Sequence, residues 1–86
     1  SEAFTIEHIL PDSQAQENSI IGNLLMLEER LNAKCKDKSL KEKLPIYAES
    51  RYATTRAFAK RYANGCFDVK KRVDFIAKDL FEMVIH

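Results

Sequence analysis

Apolar and polar positions alternate from the third residue. Between Ala3 and Ile9, Phe4, Ile6 and His8 fall on one side, and Thr5, Glu7 and Ile9 fall on the other. A period of two over this length predicts a half-buried strand. Pro11 ends it, because proline has no N–H to give to a ladder. The run from Asp12 to Ser19 is polar and turn-prone and predicts a loop. A second apolar run, Ile20 to Leu27, is broken by Gly22-Asn23. It predicts a strand over Asn23–Leu27, antiparallel to the first, with Gly22 supplying the bend that sets Asn23 beside it. Glu28 to Cys35 then predicts a short helix, with glutamates in its first turn and a lysine near its end, as the helix dipole favours.

The rest of the chain reads as helices. Ser39 with Glu42 three residues on is a capping box. Pro45 either kinks the stretch to Glu49 or divides it in two. Ala53 to Ala63 predicts a helix stopped by Asn64-Gly65. Asp68 caps the last helix, Val69 to about Ile85, whose apolar stripe is Val69, Val73, Ile76, Leu80 and Val84. Arg72, at the edge of that stripe, suits a tether to a loop better than a phosphate contact. Tyr47, Tyr52 and Tyr62 read as core residues. No repeat, low-complexity tract or linker interrupts the pattern. The prediction is one α+β domain over residues 1–86: a two-stranded antiparallel hairpin plus a short helix, with a helical C-terminal extension.

Composition narrows the setting. A chain of 86 residues buries only about 60% of the surface its unfolded form exposes, so a metal, a partner or flanking chain is expected to help stabilise it. It begins inside a strand pattern, as a piece of a longer protein would. The net charge is +1, so any polyanion-binding surface has to come from local clustering. Cys35 and Cys66 form no Cys-x-x-Cys pair or disulfide framework. They read as two half-buried thiols in a reducing, cytoplasmic setting. No apolar run approaches the ~20 residues that span a bilayer.

The candidate chemistry lies in Glu7-His8, followed by Asn23 and Asn32. A carboxylate suits a hard cation such as Mg²⁺. An imidazole suits a general base. An asparagine offers a neutral oxygen to a cation, or holds the histidine ring. Neighbours on a strand point to opposite faces. Glu7 and His8 therefore flank one phosphate only where the strand ends or twists, and Leu10-Pro11 ends it. Taken singly, His8 also reads as a structural strand residue, Asn23 as a turn residue and Asn32 as a solvated helix residue.

The order Glu7-His8-Ile9-Leu10-Pro11, then Ile21-Gly22-Asn23-Leu24, then Asn32 and Lys43, resembles the HNH, or ββα-metal, nuclease superfamily. More narrowly it resembles the HNH-like C-terminal domain of GmrSD-type, modification-dependent restriction proteins. Tyr47, Ser50, Val69-x-x-Arg72 and Leu80 extend the likeness over nearly the whole chain. The resemblance implies a ββα-metal core and an endonuclease that hydrolyses DNA in restriction or phage defence. It implies His8 as the base that activates water, Glu7 and Asn32 as ligands of one Mg²⁺ or Mn²⁺ ion, and Asn23 as the residue that orients the histidine or braces the loop. Many HNH domains carry a histidine where Asn32 stands, and zinc-binding cysteine pairs that this chain lacks. An N-terminal nucleotide-hydrolysing or DNA-sensing domain is the implied partner within the same protein.

Lys34, Lys36, Lys38, Lys41 and Lys43 follow the candidate site. They form either a DNA-backbone contact or a solvated surface partly compensated by Asp37 and Glu42. Arg56, Lys60 and Arg61 are placed to add to such a contact. The rival to the nuclease reading is a non-catalytic module whose helices bind a protein or nucleic acid and whose Glu-His pair is structural.

Overall fold

The computed structural model describes residues 3–11 and 21–85, with side chains as far as Asp79. Strand β1, Phe4–His8, pairs antiparallel with β2, Leu24–Glu28. The register sets Phe4 opposite Glu28, Ile6 opposite Met26 and His8 opposite Leu24. Helices α1 (Glu29–Lys34), α2 (Leu40–Tyr47), α3 (Ala53–Arg61) and α4 (Val69–Ile85) follow. The fold is α+β, a hairpin and short helix with a helical extension, as the sequence pattern predicts. The predicted loop at residues 12–19, Ile20, His86 and the side chains of Leu80 and Val84 lie outside the described residues.

Pleat alternation gives the hairpin two unlike faces. Glu7, Leu25 and Leu27 are buried on the inner face, whereas Phe4, Ile6 and Met26 are exposed on the outer one. The inner face packs with Leu31 of α1, Leu44 and Tyr47 of α2, and Phe58 of α3 into one core. The Phe58 ring lies edge-on to Tyr47, at 5.9 Å between centroids, and to Phe67, at 5.2 Å. These are favourable aromatic geometries. Tyr47 is fully buried, and Tyr52 and Tyr62 are half-buried.

Boundaries moved for identifiable reasons. Asn23, expected to open β2, closes a short 3-10 turn, Ile21–Asn23, and β2 runs one residue later. Glu28, expected to open the helix, ends the strand. Its buried carboxylate accepts hydrogen bonds from the Ser50 hydroxyl at 2.6 Å and the Arg51 N–H at 2.9 Å. Pro45 neither ends nor divides α2. Lys41, whose carbonyl loses its donor to the proline, is exposed, so water can serve it. The capping box of Ser39 and Glu42 is present at the helix start.

The far end matches its signals. Helix α3 ends at Arg61, two residues before the predicted Ala63, and Gly65, at φ 81°, donates its N–H to the Tyr62 carbonyl at 2.8 Å in the turn that follows. Asp68 Oδ1 accepts the N–H groups of Lys70 and Lys71 and caps α4. Arg72 of α4 donates to the carbonyls of Gly22 and Leu24, at 3.0 and 2.9 Å, and so ties α4 to the turn before β2. Gly22 permits this approach: a Cβ there would lie 2.5 Å from Val73 Cγ2 and 2.6 Å from the Val69 carbonyl oxygen. Among the described residues no helix is long and apolar enough to cross a membrane.

Candidate active site

Glu7 and His8 are the last two residues of β1. The strand stays regular through both, so their side chains leave opposite faces. His8 is half-buried on the side of exposed Phe4 and Ile6. Glu7 is buried, at 6% exposure, on the side of α2. Glu7 and His8 therefore do not meet at one solvent-open point.

Two side chains of α2 reach the Glu7 carboxylate. Lys43 and Tyr47 are four residues apart and share one face of the helix. The Lys43 ammonium lies 3.0 Å from Glu7 Oε2, and the Tyr47 hydroxyl donates to the same oxygen at 2.6 Å. Burial, with the hydrogen bond to Glu7 next, drives the Tyr47 pKa far up, so its proton stays in place as the donor. The Cys35 thiol, also buried, is pushed up to about 11, first by burial and then by Glu7.

The Lys43 ammonium has two further acceptors, the carbonyl oxygens of His8 at 3.1 Å and Ile9 at 3.2 Å. An ammonium has three N–H donors, so Glu7, His8 and Ile9 engage all of them. The sequence pattern grouped Lys43 with the DNA-contacting lysines. The fold separates it: Lys43 is buried, whereas Lys34, Lys36, Lys38 and Lys41 are exposed.

Asn23 braces the segment after His8 from the other side. It is fully buried. Its Oδ1 accepts the Leu10 N–H at 2.9 Å, its Nδ2 donates to the Leu10 carbonyl at 3.0 Å, and its own carbonyl accepts the Ile9 N–H at 2.9 Å. Lys43 and Asn23 between them hold the backbone from His8 to Leu10. Asn32, half-buried on α1, donates through Nδ2 to Thr5 Oγ1, and the Thr5 hydroxyl donates to the Leu27 carbonyl at 3.0 Å. That chain ties α1 across the hairpin on the Glu7 side.

Of the two ligands that the resemblance implies, Glu7 is bonded to Lys43 and Tyr47, and Asn32 to Thr5. A divalent ion on Glu7 would sit beside the Lys43 ammonium in a buried site, which like-charge repulsion opposes. Among the described residues no three His, Cys, Asp or Glu side chains are grouped to hold a metal ion. The part played by Lys43 and Tyr47 escaped the sequence reading. The available signal was their spacing of four, which puts a cation and a phenol on the buried side of α2.

A comparison with protein families matches residues 1–79 to the C-terminal domain of GmrSD restriction endonucleases. The chain belongs to this family. Searches of curated proteins and of solved structures gave no match. Membership in the GmrSD C-terminal family ties the domain to a restriction-endonuclease role.

Proposed function

We propose that this domain hydrolyses DNA phosphodiester bonds as the nuclease part of a restriction system, with His8 as the general base. The observation that carries the reading is the setting of His8. It is a half-buried imidazole on a backbone held by buried Lys43 and Asn23. A base on a rigid segment loses little orientation in the transition state. In this reading His8 takes a proton from the attacking water. Asn23 acts on the loop rather than on the reacting phosphate. Exposed Lys34, Lys36, Lys38 and Lys41 meet the DNA backbone. The family likeness brings an expectation of Mg²⁺ or Mn²⁺, and of a nucleotide-hydrolysing or DNA-sensing domain preceding this one in the protein. The Glu7 carboxylate, already neutralised by Lys43, is not the ligand we assign to such an ion.

The test is plasmid nicking by wild type and His8→Ala, with Mg²⁺, with Mn²⁺ and with EDTA. His8→Ala should lose about 10²–10⁴-fold in kcat with DNA affinity nearly unchanged. Cleavage by His8→Ala at the wild-type rate rejects His8 as the base. The second reading, an interaction module, is favoured by the exposed apolar residues Phe4, Ile6 and Met26 on the outer face of the hairpin. Retained DNA or protein binding with no cleavage under any metal condition supports that reading instead.

A further inference from the structure

Lys43 Nζ is held by three partners. It is buried, yet it serves three consecutive residues: the Glu7 carboxylate, the His8 carbonyl and the Ile9 carbonyl. These bonds join α2 to β1 over 34 to 36 positions of sequence. Carbonyls at the end of an edge strand, just before a proline, are groups that water would ordinarily solvate and leave free to move. Here a charged donor fixes them. Tyr47, one turn later on the same helix, adds a second donor to Glu7. Glu7 in turn supplies the counter-charge without which a buried ammonium would be strongly disfavoured.

We propose that Lys43 is the positioning residue of the site: it fixes the backbone of His8 and so aims the imidazole, while Glu7, itself held by Tyr47, anchors the Lys43 ammonium. The proposal rests on the reading of His8 as the base, and it assigns Lys43 a role other than DNA contact. The ion pair faces away from the imidazole, across the strand, so its action passes through the backbone. A shift of about 1 Å in a reacting group is enough to cost about 10²-fold in rate.

The experiment compares the full chain with three variants: Lys43→Met, Lys43→Arg, and the double substitution Glu7→Gln with Lys43→Met. The double variant removes both buried charges together, and so keeps the comparison available if Lys43→Met alone fails to fold. Four readouts are taken: thermal unfolding, the nitrogen and carbon NMR signals of the His8 ring, kcat and KM for nicking, and the salt dependence of DNA binding. The expected result is a folded variant with kcat lowered by about 10²-fold, KM little changed, and shifted or broadened His8 ring signals. Its log–log salt slope should match wild type, because no phosphate contact is lost, and Lys43→Arg should recover part of the rate. A folded variant with wild-type kcat and unmoved His8 signals overturns the proposal. So does a salt slope reduced by about 0.9 with kcat intact, which makes Lys43 a DNA contact. If wild type itself does not cleave, the base reading fails and the catalytic role of Lys43 falls with it; the ring signals then report separately whether Lys43 fixes the His8 backbone, and an unmoved ring in both Lys43 variants rejects that as well.

Discussion

Two buried glutamates sit at opposite ends of the hairpin and on its opposite faces. Glu7 stands near the end of β1 and faces the core; Glu28 ends β2 across from Phe4. Both are almost wholly removed from water, and they are accommodated by different means. Glu7 has a buried cation, the Lys43 ammonium, and a phenol. Glu28 is held by a hydroxyl and a backbone N–H from the connection between α2 and α3. Glu28 thus fastens a helix connection to the strand. Glu7, through Lys43, reaches the backbone of His8. Similar burial of the same side chain gives a structural clamp at one end and a support for the candidate base at the other.

The largest expected effect that separates the two is on stability. Lys43→Met leaves the Glu7 carboxylate buried beside a methionine. Breaking a buried pair from one side costs about 3–5 kcal/mol. Adding Glu7→Gln should restore much of that loss, because the orphaned charge goes with it. Chemical unfolding of wild type, single and double variants measures this directly. A loss from Lys43→Met no larger than about 1 kcal/mol, the net worth of an ordinary hydrogen bond, would erase the difference between the two clamps.

A smaller effect is expected at Glu28, and it depends on pH. Burial works to raise the Glu28 pKa, but the bonds from Ser50 and Arg51 outweigh it and hold it below the usual 4.5. A carboxyl depressed in the folded state adds stability that is present above its unfolded pKa and lost as pH falls through the folded value. Melting temperature should therefore fall as the solution is acidified below about pH 4.5, and Glu28→Gln should flatten that fall. An unchanged slope in the variant would show that other carboxylates set the acid limit.

The smallest effect serves as a local probe. The sequence reading left both thiols half-buried, whereas Cys35 is buried close to Glu7 and Cys66 is exposed beyond the Asn64-Gly65 turn. With its pKa near 11, and shielded from reagent, Cys35 should resist alkylation at pH 8 while Cys66 reacts. Mass spectrometry should find one label in the native chain and two in denaturant. Rapid native labelling of Cys35 would mean that the Glu7–Lys43 region opens more readily than its saturated bonds imply.

Local signals in the sequence carried the elements. Alternation from Phe4 to His8, the capping box at Ser39, the Asn64-Gly65 turn after α3 and the Asp68 cap each follow from bonding within a few residues, so they were legible without the fold. The opposition of Glu7 and His8 was also legible, because it follows from the strand period alone. The one-residue delay of β2 was not: it depends on Asn23 bonding Leu10, and on Glu28 finding Ser50 and Arg51. Lys43 makes the same point for the site. By sequence it is the fifth in a run of lysines with solvent-facing chemistry. Only the docking of α2 against β1 converts it into a buried donor to Glu7, His8 and Ile9. Side-chain period is a property of the local backbone. The partner of a charge across more than thirty residues is set by which helix face the core takes inward, and hydrophobic burial across the whole chain decides that.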